Sequence, residues 1–452
     1  VNISGNVLIN RERIKELLGL YLKKPYDPVG LNDNLYLLEN EYHELGKLYF
    51  DVSIKDLISD SVLVDININE GNNYYLRNTF FKRTGNIDSS LVLRELKYKT
   101  GDLYSKSKMD KTSKHLREIG IFSTANLTPT KVADSDSLVD IFIDMKRYKQ
   151  REWNSSGGLV PISFAEGANE IDAVSATIEW RDRAFLNSTK QFSMKLLAGF
   201  TIDTSFVASR LRYDASLSTN WFLGIRFPTK IIGYYEKFIF GKKTDFPEGI
   251  DRFGANLAQR VQLMGRSYFE TRTIWERFSD RSEENIEERS ISLKINIDRK
   301  DDPLFTKKGY LLQGLIKKAG FDGSRDYFKT DVTLQSYYSL SKGPVCAMRI
   351  QYGRLWQWSQ TYEDYSFEKF YLGGSTSMRG WQVLKFSVNE QGEPNGGITR
   401  LMANFELRQH VYKSFGMTLF SDGGFLSDEP SNYNLIGKMR WDVGLGLTFE
   451  TP

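Results

Sequence analysis

A two-residue alternation of apolar and polar side chains, beginning near residue 151 and running almost to the end, constrains this chain more than any other feature. Val174, Ala176, Ile178 and Trp180 interleave with Ser175, Thr177, Glu179 and Arg181. Ile291, Leu293, Ile295 and Ile297 interleave with Ser292, Lys294, Asn296 and Asp298. Met439, Trp441, Val443, Leu445, Leu447 and Phe449 do the same with Arg440, Asp442, Gly444, Gly446, Thr448 and Glu450. Neighbouring side chains of a strand point to opposite faces, so each segment has one apolar and one wet face. A large soluble sandwich also alternates, but it has no room to bury Lys, Arg, Asp and Glu in strand after strand. A membrane barrel resolves the conflict: its apolar face meets lipid, its charged face meets a watery lumen, and strand pairing satisfies the backbone. The pattern therefore predicts a transmembrane antiparallel β-barrel over residues 151–452. Cys346 shares the apolar register of Met348, Ile350 and Tyr352, so it reads as a lipid-facing hydrophobe rather than a nucleophile.

Roughly 15 candidate strands fit this region at about 9–11 residues each. Single-chain bacterial barrels have even strand numbers, and the sequence stops at Thr451-Pro452 directly after a strong strand. The expectation is a 16-stranded type whose last strand is missing. The 13% aromatic content (24 Tyr, 29 Phe and 8 Trp) suits the interfacial girdles of such a barrel. No run of about 18 uninterrupted apolar residues predicts a helical span. A net charge of +4, without a concentrated basic patch, argues against a nucleic-acid partner. One cysteine excludes an internal disulfide and a Cys-rich metal site, and His43, His115 and His410 lie far apart in sequence. Neither a phosphate-binding Gly-rich loop with Lys, a zinc-type His pair nor a Gly-x-Ser-x-Gly elbow occurs. The expectation is a protein without cofactor, metal or enzymatic chemistry. Val1 begins without a signal-peptide pattern, which suggests a mature or trimmed form of an exported protein.

The first 150 residues repeat one order of elements. In residues 1–70 a short strand ends at Gly5-Asn6, and Asn10 can cap a helix carrying Ile14, Leu17, Leu18 and Tyr21. A second helix carries Leu31, Leu35, Leu38 and Tyr42 and stops at Gly46; strands follow at residues 49–54 and 62–68. Residues 71–150 show Gly85-Asn86, a helix through Leu91, Leu93 and Leu96, Gly101-Asp102-Leu103-Tyr104, a helix ending at Ile119-Gly120, and strands at 122–127 and 138–145. Helices on one face of a three-stranded sheet give each copy a core adequate for about 75 residues.

This ordered series resembles the POTRA domain, the periplasmic module of the BamA/TamA family of outer-membrane assembly factors (the bacterial surface antigen family). Arg94-Glu95-Leu96 and the stretch from Leu116 to Phe122 match its pattern in the second copy. In the later region, Phe370 to Trp381 contains Gly373-Gly374 and Met378-Arg379-Gly380-Trp381. This resembles the signature of that family's long sixth extracellular loop, which folds back into the lumen. Phe420-Ser421-Asp422-Gly423-Gly424 resembles its Phe-x-Asp-x-Gly strand motif, and Asp298 to Pro303 with Gly309 another recurring turn. The fold class implied is two α+β POTRA domains followed by the barrel.

The glycines allow tight turning, and Arg379 offers a planar fork of donors. By resemblance Arg379 binds the inner wall at Asp422, with Glu406 as a second partner and Phe420 as a stacking face. The resemblance further implies outer-membrane location, periplasmic POTRA domains, unfolded outer-membrane proteins as substrates, accessory assembly subunits and the lipid bilayer as partners. Two sheet edges, at Tyr49, Phe50 and Val52 and at Phe122 and Thr124, are candidate docking sites for an extended substrate chain. The first barrel strand, about residues 152–161, holds Trp153, Ser155, Gly157 and Gly158; its poor pairing composition marks a candidate lateral seam. Two alternatives share the barrel. A polypeptide-secreting pore of the two-partner type also carries two POTRA domains, whereas a passive porin needs neither these nor the Arg379 loop.

Overall fold

The structure, a computed structural model, describes residues 1–20, 26–58, 62–82, 88–159, 173–201, 206–242, 249–279, 285–340, 343–358, 368–390, 392, 394–412, 414–429 and 436–449. Two compact units divide it: Val1–Gln150 with Arg183–Lys190, and Arg151–Asp182 with Gln191–Pro452.

The first unit holds two sheets of three strands. One is built from β1 (Asn2–Ser4), α1 (Arg11–Leu17), α2 (Pro28–Glu44), β2 (Asp51–Ile58) and β3 (Val62–Asn69), in strand order β1-β3-β2. The other is built from β4 (Tyr75–Lys82), α3 (Ser89–Leu93), α4 (Lys106–Glu118), β5 (Phe122–Lys131) and β6 (Leu138–Arg147), in order β4-β6-β5. Side-chain caps start the helices. The Asn10 carboxamide accepts from Arg13 N–H at 2.8 Å, and the Asp27 carboxylate accepts from Gly30 N–H at 3.0 Å. Each copy buries its own apolar set. Ile14, Leu38, Tyr42 and Ile66 close the first; Val92, Leu116, Ile141 and Ile143 close the second. The copies meet at Gly46, whose φ of +83° suits glycine and where a Cβ would come within 2.6 Å of Leu103. Beside it, Glu44 accepts hydrogen bonds from the hydroxyls of Ser105 (2.8 Å) and Ser107 (2.9 Å) at the start of α4.

Three expectations need correction here. Tyr49 and Phe50 precede β2 rather than belonging to it, because their rings are drawn into packing. Phe50 stacks on Tyr42 at 4.4 Å, and Tyr49 sets its edge to Tyr74 at 5.0 Å. Leu96 lies beyond the single turn of α3 and packs on the core from the following segment. The strand β4 was not foreseen as an element, although it supplies the third strand of its sheet.

Glu70 ties the start of the first copy to its end. Its carboxylate accepts from Val7 N–H (2.7 Å), Leu8 N–H (2.8 Å) and the Tyr42 hydroxyl (3.0 Å). Burial opposes ionisation, but the two amides and the hydroxyl outweigh it and hold the carboxyl below the ordinary glutamate value. A depressed carboxylate stabilises the fold above the unfolded value of about 4.3, and the contribution is lost as pH falls through the folded value. Val7 and Leu8 amide exchange, corrected for intrinsic rate, is therefore expected to accelerate below about pH 4. Glu70→Gln is expected to abolish that pH dependence, read by hydrogen-exchange mass spectrometry.

Among the described residues the second unit is one antiparallel sheet of fourteen strands, each paired to its sequence neighbour. They are β7 (Arg151–Leu159), β8 (Ala173–Asp182), β9 (Gln191–Thr201), β10 (Phe206–Phe222), β11 (Ile225–Lys242), β12 (Gly249–Gln262), β13 (Tyr268–Ser279), β14 (Asn285–Asp298), β15 (Gly309–Ala319), β16 (Tyr327–Ser339), β17 (Val345–Gln357), β18 (Thr399–Tyr412), β19 (Phe415–Ser427) and β20 (Arg440–Phe449). Fewer strands are described than sequence spacing suggests, because no strand is described between β17 and β18, over residues 358–398. Tyr21, Gly85, Asn86 and residues 160–161 and 450–452, named from the sequence above, lie outside the described residues.

The two faces of this sheet have inverted polarity. Glu236, Glu288, Lys329 and Arg400 are fully buried, whereas Val443, Leu445 and Leu447 are 73%, 72% and 83% exposed. A flat sheet would expose both faces alike, so the sheet wraps around its charged side. The exposed apolar side is the one a bilayer covers. Among the described residues, no helix is long and apolar enough to cross a membrane.

Candidate functional site

The loop between β17 and β18 folds onto the charged face of the sheet. Phe370 pairs through its backbone with Gly397 (2.9 and 2.8 Å), just before β18. Gly373 and Gly374 then turn the chain at φ values of +115° and +96°, which a side chain rarely adopts. The turn is locked internally. Ser377 Oγ donates to Gly373 O at 3.0 Å, and Gly374 N–H donates to Trp381 O at 3.0 Å. Trp381 N–H donates to Met378 O at 3.2 Å, which leaves Arg379 at the tip.

Strand register prepares the wall that receives it. Asn404, Asp422 and Asp442 are direct neighbours on β18, β19 and β20, and Glu406, Phe420 and Gly444 form the adjoining row. Arg379 reaches both rows. Its Nε and Nη2 donate to Asp422 at 2.8 and 2.6 Å, and its Nη1 donates to Glu406 at 2.8 Å. Its backbone N–H adds a third bond to Asp422 at 3.1 Å, and the guanidinium lies 3.7 Å from the centre of the Phe420 ring. Two-pronged, charge-assisted pairing of this kind fixes direction as well as distance. Asp422 is fully buried, while Arg379 keeps 24% of its side-chain exposure.

The neighbouring residues hold the turn in place. Gly424 leaves room for the buried Met378, since a Cβ there would come within 2.8 Å of its sulfur. Trp381 packs on Phe386 at 5.0 Å, and Arg440 lies 3.8 Å over that same ring. The structure thus brings together Gly373, Gly374, Met378, Arg379, Gly380 and Trp381 with Glu406, Phe420, Asp422 and Gly424.

Three further residues of the site were not foreseen from the sequence. Asn404 donates to both Asp422 Oδ1 and Ser377 O at 2.8 Å. Asp442 accepts from Gly380 N–H at 2.8 Å, and Arg349 Nη2 donates to Thr376 O at 2.6 Å. The alternation carried the signal, because Asn404 and Asp442 share the inward register of Glu406 and Asp422. A cavity of about 270 Å³ remains beside the turn, lined by Arg349, Arg379, Arg408, Tyr337 and Glu406 among others. Among the described residues no cluster suited to a metal ion occurs.

The other candidate sites stand apart from this loop in sequence and strand. Val52 lies on β2 and Phe122 and Thr124 on β5, and both strands are sheet edges. The Phe122 side chain itself is buried in the core, so only backbone is offered there. Trp153, Ser155, Gly157 and Gly158 lie on β7 opposite Trp180, Ile178, Ala176 and Ser175 of β8. No ladder joins the other edge of β7 to a partner strand among the described residues.

Comparison with known proteins bears on this arrangement. Residues 173–452 match the Omp85 superfamily domain, and residues 1–71 match a POTRA domain described as a surface antigen variable number repeat. The outer membrane protein assembly factor BamA of Nitratidesulfovibrio vulgaris is 23% identical over 449 residues, covering 92% of this chain. The chain spans about half (52%) of that relative's length. The crystal structure of Haemophilus ducreyi BamA lacking POTRA domains 1–3 superposes with a TM-score of 0.70 at 14% identity, covering 100% of this chain and 94% of the other. CdiB from Escherichia coli superposes with a TM-score of 0.51 at 11% identity, covering 99% and 83%. These likenesses show the fold: POTRA-type domains followed by an antiparallel barrel.

Proposed function

The chain belongs to the Omp85 superfamily, and on that premise we propose that it assembles β-barrel proteins into the outer membrane. The observation that carries this reading is the Arg379 turn planted on Asp422 and Glu406. A passive porin would need neither the POTRA domains nor this loop. In this reading residues 1–70 and 71–150 are separate POTRA domains on the periplasmic side, residues 151–452 form the barrel, and accessory subunits assist. The edges β2 and β5 take up an extended substrate strand by backbone pairing, and no catalytic chemistry is required.

The seam belongs to the same proposal. On β7, Gly157 and Gly158 weaken strand packing, and only Trp153 and Leu159 offer large apolar surface. Opening at this edge presents unpaired N–H and C=O groups to a substrate hairpin, which lowers the barrier to its insertion. Depletion of the protein, followed by an inventory of outer-membrane proteins, tests the function. Broad loss of barrel proteins is the expected result. Loss of a single exported protein would instead indicate a dedicated two-partner secretion pore, and an unchanged inventory would refute both.

A further inference from the structure

A second cluster of buried charge lies at the stem of the same loop, on a different stretch of wall. Glu368 pairs with Lys317 of β15 and Lys329 of β16, both at 3.0 Å. Lys317 also pairs with Glu288 of β14 at 2.8 Å, and the Tyr327 hydroxyl donates to Glu288 at 2.8 Å. Two residues on, the Phe370 ring sits between two cations, with Lys329 at 5.1 Å and Arg400 at 4.6 Å. Gly353 of β17 makes room for it, since a Cβ there would come within 2.5 Å of the ring.

The charge balance assigns Glu368 its role. Lys317, Lys329 and Arg325 are all nearly or wholly buried, and Arg325 stands 3.7 Å from Glu288. Among the described residues, Glu288 of the wall pairs with Lys317 and faces Arg325, and Glu368 of the loop pairs with both lysines. Breaking a buried ion pair from one side is costly, so the two lysines hold Glu368 and with it the stem. The stem and the tip of the loop therefore hold different strands: Glu368 binds β15 and β16, whereas Arg379 and Gly380 bind β18, β19 and β20.

We propose that Glu368 is a second anchor of the loop, independent of Arg379, and that it acts as a positioning residue. It fixes the stem so that the Arg379 turn arrives over Asp422. The bearing of this anchor on assembly rests on the function proposed above; the anchor itself does not.

Hydrogen exchange of the full chain in detergent micelles separates two anchors from one. In the stem, Phe370 and Gly397 exchange backbone hydrogen bonds; at the tip, Gly380 N–H is held by Asp442 and Trp381 N–H by Met378 O. Glu368→Gln is expected to speed exchange in a peptide covering 368–374 by about 10-fold or more while the 375–384 peptide stays within about 3-fold, as expected of local openings that are separable. Arg379→Ala is expected to give the reverse pattern, and Glu368→Asp, which keeps the charge, to restore most of the stem protection. Heat-modifiable migration on gels reports that each variant is folded. Should Glu368→Gln fail to fold, Lys329→Met removes one of its two partners and is read in the same way.

Stem exchange that stays native in Glu368→Gln overturns the proposal. So does release of stem and tip together by Arg379→Ala alone. Neither measurement depends on assembly activity, so an unchanged outer-membrane protein inventory on depletion would refute the function and leave the anchor standing.

Discussion

Replacing Arg379 by alanine is expected to detach the loop tip from the wall and to depress outer-membrane protein assembly strongly, while the barrel remains folded. The substitution removes two charge-assisted bonds to Asp422 and one to Glu406. Asp422 is left fully buried with Asn404 and a backbone amide as its remaining donors. Breaking a buried pair from one side costs about 3–5 kcal/mol, and the residual exposure of Arg379 argues for the lower end, about 3. That corresponds to about a 100-fold loss of the seated tip. Contact with the Phe420 ring contributes a smaller part, about 0.5–2 kcal/mol.

Two companion variants identify the cause. Arg379→Lys keeps the charge but not the fork, so its single ammonium cannot serve Asp422 and Glu406 with the same geometry, and an intermediate loss is expected. Arg379→Ala with Asp422→Ala removes both members, so the double variant should be less destabilised than the two single costs added together. Outer-membrane protein levels in a depletion strain, read beside tip exchange, check the series. Native protein levels in Arg379→Ala would refute a working role for the seated loop.

What could be read from the sequence follows from how local each signal is. The inward register of Glu406 and Asp422 is fixed by period-two alternation on single strands, and the glycine pair before Arg379 announces a tight turn. Both are properties of a few consecutive residues. Lys317, Lys329 and Glu368 are different: they lie on two strands and a loop, and cross-strand register and loop path decide whether they meet. Nothing near Glu368 marks it as a wall partner. Tyr49 and Phe50 failed for a related reason. Their local pattern suits a strand, but contacts with Tyr42 and Tyr74 override it. Strand number was blurred by the long interval between β17 and β18, in which no strand is described and which a uniform spacing does not anticipate.

Leu445→Arg tests the membrane reading with the largest contrast between competing expectations. Leu445 is 72% exposed on β20, opposite Leu419 of β19, with Val443 and Leu447 on the same face. If that face met water, arginine there would change stability by no more than about 0.5 kcal/mol, as surface substitutions do. If it meets hydrocarbon, the same change costs about 2–4 kcal/mol near the bilayer midplane and about 0–1 near the interfaces. Placing arginine in turn at Val443, Leu445 and Leu447 therefore reads depth as well as environment, because the cost must rise and fall along one strand. Urea unfolding from lipid vesicles, followed by heat-modifiable migration, measures each cost. A flat profile within about 0.5 kcal/mol would mean that protein or water covers this face. The charged interior would then need an explanation other than a lumen, since no soluble core of this size accommodates Glu236, Glu288, Lys329 and Arg400 at full burial without partners chosen for each.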